Sequence, residues 1–282
     1  MSLISATLWV VATPLGNPGD LSPRAARVLQ DVSCVLAEDT RRAGLLFSRL
    51  GLKAARFISL YEHNETARIR QALDFLERGE DIALISDAGT PLMSDPGYLL
   101  VRACREAGFC VRPVPGPCAA IAALMASGLP PYPFYFAGFL PRKDGAVRSF
   151  FSSLCALDAT LVFYERKNRL PHILDIAFEQ FGPRKFCIAR ELTKEFEEFI
   201  FGRLGETSSQ LENLLGEITV LLGPPDADKR MEQAELTELL SELLQEDAPL
   251  KVIASQAATR VRGWTAKEIY ALCCKLRQDE LK

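Results

Sequence analysis

The sequence has few of the residues that build metal sites and disulfide frameworks. Its eight cysteines are scattered without a C-x-x-C pair, and its only histidines are His63 and His172. Structural zinc sites and disulfide scaffolds need clustered ligands or paired cysteines. We therefore expect no metal site and no disulfide frame, and we interpret the cysteines as small buried residues in a reducing compartment.

Long apolar runs are also missing. No run approaches the ~18 residues that a helix needs to span a bilayer. The apolar segment Leu8–Ala12 lacks the basic flank of a secretory signal. We expect a cytoplasmic protein that makes no membrane contact.

The chain has no excess of basic residues. With 33 Lys and Arg against 36 Asp and Glu, its net charge is −3. This charge counts against a protein that coats nucleic acid, because non-specific affinity for phosphates comes mostly from clustered Lys and Arg. Any RNA contact must therefore be local. Residues 226–247 carry eight acids and two bases, net −6, and 248–282 carry three acids and seven bases, net +4. That asymmetry indicates a basic face near the end of the chain.

A chain of 282 residues exceeds what one hydrophobic core usually serves. Up to about residue 115, short β-branched runs alternate with amphipathic stretches, which predicts a mostly parallel sheet covered on both faces. The predicted strands are Leu8–Ala12, Cys34–Ala37, Arg56–Leu60, Ile82–Ser86 and Cys110–Val114. The predicted helices are Ser22–Gln30, Arg41–Leu50, Glu65–Arg78 and Tyr98–Ala107, with Gly51, Gly79 and Gly108 at C-terminal caps.

The second part of the chain is predicted to hold a mixed α/β sheet after an Ala-rich helix, Cys118–Ser127. Phe186–Arg190 and Glu198–Phe201 are too close for a crossover helix and should form an antiparallel hairpin. The other predicted strands are Tyr135–Phe139, Thr160–Tyr164 and Ile218–Leu222, and three helices follow at about 231–245, 248–260 and 265–278. The expected fold is α/β with an N-terminal lobe (1–115), a C-terminal lobe (116–225) and a helical tail module (226–282).

Three loops of small residues follow predicted strands: Thr13–Asn17, Ser86–Gly97 and Pro115–Ala120. Glycine in such a loop lets backbone amides approach a ligand closely, and Asp87 or Asp95 can cap the helix that follows. Three loops at strand ends can converge on one crevice. The alternative for each loop is an ordinary turn.

Polar clusters lie on the same predicted edge. Glu38–Arg41 and Tyr61–Glu65 follow the second and third strands, where carboxylate, imidazole and guanidinium groups can meet a polar substrate. In the second lobe, Tyr164–Arg169 and Ala189–Lys194 place charges just beyond strand ends, where bases could grip a phosphate. The alternative is that these residues cap helices or form solvated turns.

The order of these segments resembles the ribosomal RNA small subunit methyltransferase I family, in the tetrapyrrole-methylase superfamily, over residues 7 to about 222. The motifs that carry the resemblance are Val11–Asn17, Ala37–Arg41, Glu62–Glu65, Ser86–Pro91, Ser94–Gly97, Pro115–Pro117, Ser127–Pro130 and Ala189–Lys194. Three positions depart from the family pattern. Cys118 stands where serine is usual, Lys167-Asn168 where a Pro-His pair is usual, and Gly223-Pro224 where an acid and glycine are common.

The resemblance implies a two-lobed fold with S-adenosylmethionine between the lobes and a homodimer. It implies methyl transfer to a cytidine 2′-oxygen in small-subunit ribosomal RNA, presented either as free RNA or in the 30S subunit. Carried over to this chain, the implied donor contacts are Pro14, Leu15, Gly89, Thr90, Leu92, Met93, Ser94, Cys118, Ala119 and Tyr164.

A sulfonium methyl is already activated, so such an enzyme must mainly align the ribose oxygen and remove its proton. The candidates for the general base or orienting group are Glu38, Asp39, His63 and Lys194. Four residues are expected to contact the substrate, the two arginines through its phosphates: Arg41, Asn64, Glu65 and Arg190.

Two other functions compete with this one. A methylase of macrocyclic tetrapyrroles would share the fold and the donor, but Thr90 stands where those enzymes typically carry an acid before the proline. A non-catalytic RNA-binding module is disfavoured because the three loops show no aromatic platform on which bases could stack.

Overall fold

The structure is a computed structural model of the full chain. It describes residues 6–61, 63–155, 157–206, 211, 214–225, 233–245, 248–258, 260, 261, 264 and 266–279. Glu62 of the Glu62–Glu65 motif and Asp226 at the predicted start of the tail lie outside the described residues, as do parts of the predicted tail helices.

The N-terminal lobe contains a five-stranded parallel sheet in the order β3-β2-β4-β1-β5. Its strands are β1 (Thr7–Val11), β2 (Cys34–Ala37), β3 (Phe57–Ser59), β4 (Ile82–Ile85) and β5 (Cys110–Val114). Because all five strands run in one direction, their carboxyl ends and the loops that follow them share one edge. The predicted parallel sheet is confirmed.

Four helices cover the two faces of this sheet: α1 (Pro23–Asp31), α2 (Thr40–Leu50), α3 (Glu65–Glu77) and α4 (Tyr98–Glu106). Apolar residues of α1 and α2 pack with Val35 and Ile85, whereas those of α3 and α4 pack with Leu36 and Leu84. Successive residues of a strand therefore pack into the cores on opposite faces of the sheet, which explains why these strands are apolar throughout. The predicted caps Gly51, Gly79 and Gly108 have φ of 67°, 80° and 81°, a conformation that suits glycine.

The C-terminal lobe contains a mixed sheet in the order β6-β7-β10-β8-β9. Its strands are β6 (Phe134–Phe139), β7 (Thr160–Arg166), β8 (Lys185–Arg190), β9 (Glu198–Arg203) and β10 (Glu217–Leu222). Only the β6–β7 pair is parallel, and β8 and β9 form the predicted antiparallel hairpin, with Arg190 opposite Glu198.

Helix α5 (Ala119–Ala126) packs on one face of this sheet and helices α6 (Asp144–Ser153) and α7 (Leu170–Phe181) on the other. The last two lie outside the predicted set. Their apolar residues do recur at helical spacing, as in Leu170, Ile173, Leu174 and Ala177, so the signal was present in the sequence.

The tail consists of α8 (Gln233–Leu243), α9 (Leu250–Ala258) and α10 (Ala266–Asp279), which share a separate apolar core. Within the described part of the chain, no helix combines the length and hydropathy that a bilayer crossing requires.

Candidate functional site

A cleft of about 840 Å³ runs along the carboxyl edge of the first sheet and the facing end of the second. Residues from both lobes line it: Leu15, Glu38, Arg42, Asp87, Ala88, Gly89, Thr90, Met93, Ser94, Asp95, Cys118, Ala119, Phe139, Tyr164, Glu165, Arg166, Lys167, Asn168, Leu192, Gly216, Glu217, Ile218 and Thr219. A cleft of this size fits a small-molecule ligand.

The three small-residue loops meet at this cleft. Thr13 and Gly89 exchange two backbone hydrogen bonds, with N to O distances of 2.8 and 3.0 Å. The hydroxyl of Thr90 donates to the carbonyl of Pro117 at 2.8 Å. The loops after β1, β4 and β5 are thus tied to one another, and the predicted convergence on one crevice is confirmed.

Bare backbone lines the cleft at Gly89. This residue has φ of 79°, and a Cβ there would lie 2.9 Å from Cδ2 of Leu15. Two further residues of the same loop, Leu92 and Ser94, have φ of 71° and 76°. Non-glycine residues in that region are strained, and such strain concentrates at ligand-binding segments. A loop held in this form can present its backbone groups to a ligand.

Three carboxylates of the first lobe, from Glu38, Asp87 and Asp95, line the cleft, and Glu165 and Glu217 line it from the second lobe. Asp87 is tied down, because its Oδ2 pairs with Nη1 of Arg42 at 2.9 Å and its Oδ1 accepts from the amide of Asp39 at 3.3 Å. Burial and the charge of Glu38 raise the pKa of Asp95 to about 6, against a hydrogen bond with Ser86 that lowers it. Burial and the charge of Asp87 raise the pKa of Glu38. We call Glu38 and Asp95 the acid pair, since the charge of Glu38 acts on Asp95, and Asp95 with its pKa of about 6 is suited to proton transfer near neutral pH.

The wall opposite the Gly89 loop comes from α5 and β7. Cys118 is the N-cap residue of α5, and its side chain does not cap the helix. The backbone of Ala120 hydrogen-bonds to Tyr164, while burial raises the pKa of that tyrosine to about 12. Tyr164 is therefore a half-buried side chain whose phenol is neutral near pH 7.

Lys194 holds the two lobes together rather than facing the cleft. Its stem packs against Gly16, where an added Cβ would collide with it. Its Nζ donates to Oε1 of Glu191 at 2.9 Å and Oε2 of Glu217 at 3.0 Å. Partial burial lowers the pKa of Lys194, but the hydrogen bonds and charges of these two acids outweigh it and the net shift is upward. A lysine held protonated in this way is a poor general base.

A second contact reinforces this link. The amide of Asn17 donates to Oγ1 of Thr193 at 3.1 Å. Thr193 and Glu191 have φ of 64° and 49°, so the 191–194 segment keeps a strained backbone while it contacts the first loop. We call residues 191–194 together with Gly16 and Asn17 the interlobe latch.

The structure brings most of the predicted donor contacts together. The cleft is lined by Leu15, Gly89, Thr90, Met93, Ser94, Cys118, Ala119 and Tyr164. Pro14 lies in a neighbouring pocket of about 280 Å³. Leu92 packs against the N-terminal lobe core. Whether these residues bind a donor stays a prediction.

The predicted base and substrate residues are more dispersed. Of the four base candidates, Glu38 alone is among the cleft-lining residues. Asp39 caps α2 and forms a bidentate pair with Arg41, whose hydrogen bonds hold the pKa of Asp39 well below its usual value. His63 is exposed and lies outside that lining set.

The residues predicted to contact the substrate form hydrogen bonds or ion pairs within the protein and are not among the cleft-lining residues. Asn64 hydrogen-bonds to the backbone at Tyr61 and Ser59. Glu65 is buried and accepts from the amide of Leu100 at 3.0 Å. Arg190 pairs with Glu198 and donates to the carbonyl of Leu215 at 3.0 Å. A substrate role for these residues and for Arg41 stays a prediction.

One expectation about this edge is wrong. Asp87 and Asp95 do not cap the following helix, because the N-cap of α4 is Gly97, which has no side-chain cap. The three loops contain no aromatic residue, as expected, but the second lobe adds Phe139 of β6 and Tyr164 of β7 to the cleft, with ring centroids 5.5 Å apart. This aromatic contribution could not be predicted from the loop motifs, since Phe139 lies outside all three loops in the sequence.

The chain matches known proteins over most of its length. The family model described as Tetrapyrrole (Corrin/Porphyrin) Methylases matches residues 7–208. A protein of Micromonospora olivasterospora, "Ribosomal RNA small subunit methyltransferase I", is 42% identical over 94% of this chain and 87% of its own. A protein of the same name from Pseudomonas aeruginosa is 44% identical, over 90% and 92% of the two chains.

A solved structure shares the fold at lower identity. It is the uroporphyrin-III C-methyltransferase of Thermus thermophilus complexed with S-adenyl homocysteine, with a TM-score of 0.54 and 20% identity. The alignment covers 77% of this chain and 97% of that one. The two-lobed α/β fold predicted from the sequence is therefore the tetrapyrrole-methylase fold.

The interlobe latch generates a prediction that needs no ligand. Thr193→Val keeps the side-chain shape but removes the acceptor of the Asn17 amide, so that amide should exchange with solvent about tenfold faster. Hydrogen exchange followed by NMR measures this. Thr66→Val, at an exposed threonine of α3, is the matched control and should leave Asn17 unchanged. Equal exchange in both variants would show that the latch does not hold the first loop.

Proposed function

This chain belongs to the ribosomal RNA small subunit methyltransferase I family, a branch of the tetrapyrrole methylases, and we propose that it methylates the ribose 2′-hydroxyl of a cytidine in 16S ribosomal RNA. The methyl donor is S-adenosylmethionine. The observation that carries the proposal is one cleft lined together by the bare backbone of the Gly89 loop, by the acid pair and by the cations Arg166 and Lys167. Such an enzyme would work in the cytoplasm, on free RNA or on the 30S subunit.

The residues of the cleft fit the donor. Gly89 leaves room where a Cβ would meet Leu15, and the carboxylates of Glu38, Asp87 and Asp95 suit a cationic ligand. Leu15, Met93, Cys118 and Ala119 would hold its apolar parts. When bound, S-adenosylmethionine supplies an activated methyl group.

The chain itself must orient the ribose oxygen and accept its proton. We assign proton acceptance to Asp95 and a pKa-raising role to Glu38, because both line the cleft and the charge of Glu38 helps to raise the pKa of Asp95 to about 6. A carboxylate with that pKa is ionised at neutral pH yet more basic than an ordinary aspartate. Lys194 is assigned a positioning role, since it fixes Glu217 at the cleft and the first loop beside it.

Sequence identity favours ribosomal RNA over a tetrapyrrole as substrate. The relatives named for ribosomal RNA are 42% and 44% identical, whereas the tetrapyrrole enzyme is 20% identical and supports the fold alone. Thr90 also supports this choice, because its hydroxyl donates to Pro117 and thereby locks two loops together. An ionised acid at that position could not donate this hydrogen bond.

The direct test is a methylation assay. Purified protein is incubated with labelled S-adenosylmethionine and 30S particles from cells that lack the modification, and the label is mapped. We expect one labelled ribose 2′-oxygen on a cytidine of 16S RNA, and no labelling of particles that are already modified. Donor binding by calorimetry without any RNA labelling, or labelling of a tetrapyrrole instead, would refute the proposal.

The acid pair predicts a pH dependence with a defined sign. Because the acceptor must be ionised, single-turnover methylation should rise with pH through about 6. Glu38→Gln removes a charge that raises the pKa of Asp95, so the rise in rate should occur at lower pH. Ser86→Ala removes a hydrogen bond that lowers the pKa of Asp95, so the rise should occur at higher pH.

Asp95→Asn should lower the rate by about 100-fold or more while donor binding persists. A flat profile between about pH 5 and 7.5, or an Asp95→Asn variant as fast as the wild type, would contradict this assignment.

We also propose a homodimer, as the family resemblance implies. Large apolar side chains are exposed along one stretch of the second lobe: Ile121, Met125, Tyr132, Phe134 and Tyr135. Exposed apolar surface of this kind marks association sites. In sedimentation equilibrium, Met125→Glu should weaken the dimer, whereas Leu45→Glu, at a similarly exposed residue of α2, should not. A monomeric wild type would refute the proposal.

A further inference from the structure

A β-bulge near the end of β6 aims an aromatic ring at the cleft. The register between β6 and β7 shifts between Phe136 and Phe139, so that Phe139 comes to lie opposite Tyr164. Gly138 within this bulge has φ of 65°, and a Cβ there would lie 2.9 Å from Oγ of Ser94. Bulges of this kind redirect a side chain next to a functional site.

The ring of Phe139 is held from one side and open on the other. It meets Tyr164 in an edge-to-face contact at 5.5 Å between centroids, at an interplanar angle of 61°. Phe139 is nevertheless 59% exposed and lines the cleft. An apolar ring that is fixed in place and left open at a cleft is suited to stacking with a flat ligand group.

Two cationic side chains lie at the end of β7, the strand adjacent to β6. Arg166 ends β7, Lys167 comes next, and both line the cleft. Both are exposed. Within the described parts of the chain, neither side chain has an ion-pair partner, unlike Arg42 and Arg169, which pair with Asp87 and Glu165. Unpaired cations beside an open aromatic ring fit the two parts of a nucleotide, the phosphate and the base.

We propose that Phe139 stacks with a nucleobase of the RNA strand that enters the cleft, and that Arg166 and Lys167 bind the phosphates of the same strand. This inference rests on the proposed function and adds a subsite to it. The target sugar would then be held between this subsite and the acid pair on the opposite lobe. The net charge of −3 is no obstacle, because the contact is local.

The first experiment compares two phenylalanines of the same sheet. Phe139→Ala should raise the KM for 30S particles about tenfold while calorimetry gives an unchanged donor affinity. Phe139→Tyr, which keeps a stacking surface, should stay near the wild-type KM. Phe201→Ala is the control, because Phe201 is 60% exposed on β9 at the opposite edge of the sheet.

The second experiment detects the stacking directly and does not depend on catalysis. In Phe139→Trp, a single-stranded RNA octamer should quench the added tryptophan emission, and an abasic octamer of the same length should not. In Phe201→Trp neither should quench it. Lys167→Gln should reduce the slope of log affinity against log salt by about 0.7, the value for one phosphate contact on a single strand.

Lys185→Gln, at the start of β8 and at the end of the sheet away from Lys167, is the matched charge control and should leave that slope unchanged. If the wild type methylates the particles but the Phe139 variants behave like the Phe201 variants, this inference is refuted and the proposed function stands. If the wild type neither binds the octamer nor methylates the particles, both are refuted.

Discussion

The cleft depends on the paired backbone hydrogen bonds between Thr13 and Gly89. They join the loop after β1 to the loop after β4, and the bond from Thr90 to Pro117 adds the loop after β5. Loops at the ends of parallel strands share an edge but are free to diverge from it. These few bonds remove that freedom, so a backbone surface with no side chain at Gly89 is in place before any ligand arrives.

The chemistry of the cleft follows from how charge is distributed around that surface. Asp87 and Asp39 each hold an arginine, so they serve as fixed anions. Within the described residues, Asp95 and Glu38 form no salt bridge. Burial together with nearby negative charge raises the pKa of both, although the charge of Arg42 lowers that of Glu38 in part. The paired acids Asp39 and Asp87 and the acid pair Glu38 and Asp95 thus differ in proton affinity, because pairing and burial decide it and residue type does not. The basic rim of Arg166 and Lys167 lies on the other lobe.

The local pattern of the sequence predicted the strands, the hairpin and the Gly89 loop well, because each depends on residues close together in the chain. Predictions for individual polar residues were less successful. Glu38 does line the cleft, but its motif neighbours Asp39 and Arg41 pair with each other, and Glu65 is buried against the amide of Leu100. Asp95 is one of the two possible helix caps that the sequence suggests, and in the structure it instead belongs to the acid pair. A short motif gives the side chains present, but not which of them other elements will neutralise or bury.

The sequence by itself determined the α/β fold, the parallel first sheet and the family, since apolar periodicity and motif order depend only on the linear order of the residues. Tertiary structure alone decided the rest. Lys194 became a link between lobes because the strained 191–194 segment meets Gly16, over 170 residues away in the chain. Phe139 reached the cleft because a bulge shifted β6 against β7. Contacts across such separations depend on how elements pack, and local sequence patterns do not encode that packing.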